Sequence, residues 1–258
     1  MKTLAYTFLA ISLMLGFSAQ AQTADEILSN YFENTGGEAQ WKALKGMKMN
    51  AKINQQGMEI PLEIYQMKDG RQLTVVKFQG KEIKQGVFDG ETLWSTNFMT
   101  MKAEKSDEET TANLKLNAND FPDPFLDYKE KGYTVELVGT ETMDGAETYK
   151  IKLVKEPLTI DGQSKEDVSY YYFDTENYVP IAVESEVNMG PMKGQTQLIT
   201  FSDYQEVEGL YFPFSMSQGI KGGGSQPISI ESIELNPQLD EAAFNFPDEG
   251  EVPVENKQ

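Results

Sequence analysis

The 258-residue chain contains no cysteine and no histidine, and Arg71 is its only arginine. Without cysteine there is no disulfide, no thiolate nucleophile, no lipid-modified cysteine and no Cys/His zinc site. Without histidine, Ser-His-Asp and Cys-His arrangements are excluded as well. A single arginine nearly removes bidentate clamps on phosphate or carboxylate. Positive charge is scarce throughout: Lys and Arg number 22 against 41 Asp and Glu, a formal net charge of -19. Nucleic acid and anionic lipid surfaces both require basic residues, so neither is an expected partner. Carboxylate, Lys, Tyr and Ser/Thr chemistry survive these exclusions. Nothing calls for a cofactor or a metal, and no segment after the N-terminus is long and apolar enough to suggest a membrane span.

The N-terminus explains the compartment. Met1-Lys2 is a short basic region, Leu4 to Phe17 is apolar but short for a bilayer span, and Ala19-Gln20-Ala21 is an A-x-A site. Residues 1–21 are expected to be a signal peptide cleaved after Ala21. That predicts a soluble periplasmic protein without a lipid anchor. The body of the chain, 22–247, reads as one domain, and 248–258 as an acidic, disordered tail.

Within the body, Thr23-Ala24-Asp25-Glu26 is a capping box opening a helix that Gly36-Gly37 stops, and Glu38 to Leu44 is a second short helix. Strict alternation then begins. Met47, Met49, Ala51 and Ile53 alternate with Lys48, Asn50, Lys52 and Asn54, and Met58, Ile60, Leu62 and Ile64 alternate with Glu59, Pro61 and Glu63. Asp69-Gly70, Asp89-Gly90, Asp144-Gly145 and Asp161-Gly162 are hairpin signals. The pattern breaks from Ser106 to Lys131. There Glu108 to Leu116 is compatible with a helix, and Asp123-Pro124 resembles the start of another, ended by Gly132. Strands resume at Tyr133 and continue through Gln195–Phe214, a strand-turn-strand unit. In Pro227–Leu235 the apolar phase slips by one, predicting a bulge near Ser232. The expected fold is mainly β: a single large antiparallel, strongly curved, unclosed barrel of about 11–12 strands, with short helices as lid or plug. So few helices are little cover for so large an apolar face, which leaves either a tightly closed sheet or an apolar cavity.

The order of several short motifs resembles the LolA/LolB-like family of periplasmic lipoprotein-sorting proteins, in its Bacteroidetes-type branch. These motifs are the capped helix ending in Gly36-Gly37 with Trp41 after it, Phe88-Asp89-Gly90 before Trp94, and Tyr171–Asp174 followed by Val179-Pro180. Phe201-Ser202-Asp203-Tyr204 leading to Gly209–Pro213 follows, then Ile230–Asn236, Leu239-Asp240 and Phe244–Pro247. The resemblance covers nearly all of the chain after the leader. It implies a non-catalytic half-barrel with a helical lid and a cavity for acyl chains. It also implies an arginine that latches the lid, for which Arg71 is the one candidate. The anchored acceptor of the family is a lipoprotein, and this chain has no cysteine for that, so it is similar to the soluble carrier.

The expected cavity lining is Met47, Met49, Ile53, Met58, Ile60, Leu62, Ile64, Leu73, Val75, Trp94, Phe98 and Met99. The lid residues are Phe121, Phe125, Leu126 and Tyr128. Methionine suits a wall that must adapt to flexible chains, but the same residues also fit ordinary core packing. The expected function is a carrier for lipid or lipoprotein acyl chains, working with a membrane-bound partner that has a basic docking surface. The alternative is a lipid or lipoprotein sensor, or a partner-binding module, on the same fold. An enzyme using carboxylate or Tyr/Lys chemistry is a third class, for which no residues stand out. Oligomeric state is not legible.

Overall fold

Hairpin follows hairpin because period-two strands are punctuated by residues that accept positive φ. In a computed structural model, residues 22–55 and 57–247 are described. The expected signal peptide and acidic tail lie outside them. Helices α1 (Ala24–Asn34) and α2 (Glu38–Ala43) lead into six strands: β1 (Gly46–Gln55), β2 (Met58–Met67), β3 (Gln72–Phe78), β4 (Lys81–Phe88), β5 (Leu93–Thr96) and β6 (Ala103–Lys105). Helix α3 (Glu108–Asn117) and an irregular segment follow. Then come β7 (Thr134–Met143), β8 (Ala146–Ile160), β9 (Gln163–Asp174), β10 (Pro180–Glu186), β11 (Thr196–Val207), β12 (Leu210–Ile220) and β13 (Ser225–Leu235). Between β8 and β9, Asp161 and Gly162 take φ of 53° and 72°, the mirror-image turn whose twist matches the strands.

All thirteen strands form one antiparallel sheet in the order β6-β5-β4-β3-β2-β1-β13-β12-β11-β10-β9-β8-β7. The three-residue β6 brings the number just above the expectation. Edges β6 and β7 do not pair, so the barrel is open. Two meanders meet where β1 pairs with β13, and the register slips there because Glu231 is extra, the bulge expected near Ser232. Pro213 is tolerated in β12 because β13 pairs with β12 only over Ser215–Gly219, beyond the proline.

Since β13 runs antiparallel to β1, the turns after β1, β3, β5, β8, β10 and β12 emerge at one end of the sheet, here called the mouth. Those after β2, β4, β7, β9 and β11 emerge at the other end, the base. The base of the inner face is plugged. Ile27, Leu28, Tyr31 and Phe32 of α1 and Trp41 and Leu44 around α2 pack on Met47, Ile151, Leu153, Phe173, Leu210 and Phe212. The capping box of α1 forms as expected, with Thr23 and Glu26 exchanging bonds. Gly36 has φ 111°, and a Cβ there would sit 2.1 Å from the Gly209 carbonyl oxygen. Only glycine lets α1 end against the β11–β12 turn, where the Tyr211 N–H donates to the Thr35 carbonyl at 3.1 Å.

The helix expected from Asp123-Pro124 does not form. Asp127 takes φ 50°, which breaks any i→i−4 ladder, and the segment runs as successive turns to Tyr133. On the outer face of β3–β5, the C-terminal turn Glu241–Phe244 covers Leu73, Val75, Val87 and Trp94. Trp94 Nε1 donates to the Phe244 carbonyl at 3.0 Å. Phe244 is 1% exposed, so Phe244→Ala should cost about 3–5 kcal/mol in urea unfolding. A loss under about 1 kcal/mol would mean that this segment does not hold the outer face.

Candidate functional site

The register sorts the β1–β3 residues into two faces. Met49 opposes Ile64, Ala51 opposes Leu62, and Ile53 opposes Ile60. On the other side of β1, Met49 opposes Ile233, Ala51 opposes Ile230, and Ile53 opposes Ile228. Cross-strand partners share a face, so these side chains form one apolar wall continuous with Val76, Phe214 and Met216. Ala51, Leu62 and Ile230 are buried within it, whereas Ile53, Ile64, Val76, Phe214, Met216, Ile228 and Ile233 keep partial exposure. Among the described residues this cluster is built from strands alone. The opposite face of the same strands is charged, with Lys48 and Lys77 on Glu63 and Lys52 on Glu231 at 2.7 Å.

Several expected lining residues lie elsewhere. Leu73, Val75 and Trp94 belong to the opposite face, under Phe244, because Val75 opposes Glu63 while Val76 opposes Leu62. They cannot line a cavity with Ile60 and Leu62. Met47 is buried in the plugged base with Trp41. Met58, Phe98 and Met99 are exposed at the mouth. The expected lid residues Phe125 and Leu126, with Phe121 and Tyr128 packed beside them, belong to the base cluster rather than to the wall. Arg71 does not reach these residues. It pairs with Asp69 at 2.8 Å and lies over the Phe244 ring, so a lid latch at Arg71 is not what the geometry shows.

Helix α3 approaches both β5 and β8, spanning the gap between the sheet's edge regions. Its attachment to the β8–β9 hairpin is polar. Asn113 donates to the Thr159 carbonyl at 2.7 Å and accepts from the Thr159 N–H at 2.9 Å. Glu109 accepts from the Asp161 and Gly162 N–H groups, both at 2.8 Å. Below it, Lys155 bridges Asp120 at 2.7 Å and Asp167 at 3.1 Å. Burial alone would push the Lys155 ammonium down, but the two carboxylates hold it above its ordinary value.

Near the mouth the inner face of β11–β13 turns polar. An open hollow of about 370 Å³ is lined by Gln197, Gln218, Gly219, Ile220, Gly224, Gln226 and Ile228. Ile228 also belongs to the wall, so apolar and amide surfaces meet there. The full wall was not legible from alternation. Ile228 and Ile230 read as one face of a strand, but nothing local placed that strand beside β1. The Asp120-Lys155-Asp167 bridge had no sequence signal.

Asp123 sits where α1 meets the irregular segment. It accepts from the Tyr31 hydroxyl at 2.9 Å and from the Phe125 N–H at 2.8 Å. Burial raises its carboxyl from 3.8 to about 6, against the lowering effect of those two bonds. Between about pH 4 and 6 the folded chain therefore holds a proton that the unfolded chain has released. Stability contributed here falls as pH rises through that window and is level above it. Asp123→Asn should abolish this component. From pH 4 to pH 7, wild-type stability should drop relative to the variant by about 2 kcal/mol. Parallel pH profiles of the two proteins would assign the titration to another group.

No family model matches the sequence, and no curated protein matches it either. Solved structures do resemble it. A LolA superfamily protein from Nitrosomonas europaea superimposes with a TM-score of 0.53 at 14% identity, over 87% of this chain and 98% of that one. A domain assigned to outer membrane lipoprotein sorting from Vibrio parahaemolyticus gives 0.51 at 14% identity, over 85% and 95%. A DUF1329 family protein from Desulfovibrio piger gives 0.51 at 15% identity, over 85% and 97%. The fold of this chain is the LolA-like open barrel.

Proposed function

We propose that this protein is a non-catalytic carrier that shelters lipid or lipoprotein acyl chains against the inner wall of its open barrel. The observation that carries the reading is the wall itself: ten apolar side chains from β1, β2, β3, β12 and β13, seven of them still partly exposed, and all of the cluster's members among the described residues on strands. An apolar surface inside a concave fold is stabilised by an apolar occupant, at roughly 0.8 kcal/mol per buried methylene. The amide-lined hollow beside Ile228 suits the polar end of such a molecule. The structural likeness to a LolA superfamily protein and to a lipoprotein-sorting domain supports the same reading. It also supports a periplasmic location, as does the leader-like N-terminus. Among the described residues no helix is long and apolar enough to cross a membrane. A membrane-bound partner with a basic docking surface would match the acidic exterior.

The test is native mass spectrometry with lipid extraction on protein beginning at Gln22, followed by titration with a fluorescent fatty acid. Co-purified phospholipid or acylated peptide, or saturable probe uptake, is expected. Met216→Asp places a charge on the partly exposed wall and should weaken uptake at least tenfold. An apo mass with no probe uptake, or a variant that binds like the wild type, would end the carrier reading.

A further inference from the structure

Seven large apolar side chains are exposed among the described residues, and five of them gather at the mouth. Met58 starts β2, Phe98 and Met99 occupy the β5–β6 turn, and Met189 and Met192 occupy the β10–β11 loop. Phe98 is 61% exposed and Met99 94%. The other two, Val138 and Tyr211, lie along β7 and at the base end of β12. Scattered single exposures are ordinary on a protein surface, but five at one end are not.

The turns at the two ends also differ in charge. The base turns carry Asp69, Asp89, Glu91, Asp144, Glu176 and Glu208 against Lys68 and Arg71. The mouth turns carry Lys102, Lys193 and Lys221 against a single acid, Asp161; Lys193 pairs with that acid and Lys221 with Glu184 of β10 at 2.6 Å. Of the strand acids nearby, Glu59 pairs with Lys52 and Glu186 with Lys165, while Glu82 and Glu104 are exposed. Glu109 of α3 is engaged by backbone N–H groups. The mouth turns themselves carry fewer acids than the base turns, but exposed Glu82, Glu104, Asp107 and Glu108 lie beside them, so it is the apolar tips rather than charge that set this end apart.

We infer that the mouth is a docking surface for a lipid bilayer. Met58, Phe98, Met99, Met189 and Met192 enter the interfacial layer, and Lys102, exposed in the same turn as Phe98 and Met99, lies at the level of the headgroup phosphates. The tips stand on separate turns rather than forming one face. A protein interface needs a contiguous packed core, whereas a fluid interface accepts separate side chains. Flexible methionines suit that disorder. The inference goes beyond the carrier reading, since the tips would dock whether or not the wall is occupied.

The test is flotation of protein beginning at Gln22 with phosphatidylcholine vesicles. The wild type should float with them, and the combined variant F98S/M99S/M189S/M192S should lose at least tenfold in partitioning. All four sites are exposed, and an unchanged thermal melt checks that the variant is folded. Met216→Asp should float like the wild type, which separates docking from cargo binding. The inference is overturned if the wild type fails to float, which would leave the tips to a protein partner. It is also overturned if the serine variant floats unchanged, or if Met216→Asp loses flotation as completely as the tip variant.

Discussion

The pairing of β1 with β13 is the constraint on which the rest of the molecule depends. Strands β1–β6 form one meander and β7–β13 another, and this ladder alone joins them into a single sheet. It also assembles the inner wall, because Ile228, Ile230 and Ile233 meet Ile53, Ala51 and Met49 only across it. The bulge at Glu231 keeps the apolar phase of β13 aligned with β1 despite the slip in its sequence. Were the register to continue without that extra residue, the side chains past it would face the charged exterior.

Coverage of the sheet is uneven, and the unevenness defines the site. The base is filled by α1, α2 and the irregular segment before β7. The outer face of β3–β5 is covered by the C-terminal turn. The wall between base and mouth is built, among the described residues, from strand side chains, and at Phe214 and Ile233 it adjoins the helix-filled base. Helix α3, which spans the gap between the edge regions, is held by Asn113 and Glu109 through hydrogen bonds to backbone. The Asn113 bonds are neutral and contribute about 1 kcal/mol each net, and those to the Glu109 carboxylate about 1.5–3 kcal/mol each. The packed base and the polar-tethered α3 are therefore held by forces of different kinds.

Most of the architecture was legible because it is local. Period-two alternation from Met47 to Ile64 and the Asp-Gly turns announced antiparallel hairpins, and Thr23–Glu26 with Gly36-Gly37 bounded α1. The site was legible only in part. Ile53, Ile60, Leu62 and Ile64 share a face because they lie on neighbouring strands of one hairpin. Leu73 and Val75 look equally apolar, yet face outward, since the residues that cover them lie near the other end of the chain at Phe244. Trp94 reads as cavity lining for the same reason. Arg71 has its partner two residues away in Asp69, and adjacency in sequence gave no hint that its guanidinium would also cover Phe244. The turns after Asp123 read as a helix because Pro124 suits a first helical turn, while the left-handed Asp127 is a choice that tertiary packing makes.

The ladder between the first and last strands also has a consequence in time. Asn50 and Ser232, bonded across it, are 182 residues apart in the chain. During synthesis β1 and β2 emerge early with their apolar face complete and no neighbour on one side. That open flank persists until almost the whole polypeptide has been made. Contacts of such long range close slowly, and an unpaired strand edge beside bare apolar surface invites association with other chains. The topology that builds a sheltered wall in the finished protein thus creates a demand for shelter while the protein is being made, since the chain cannot meet that demand until its last strand arrives.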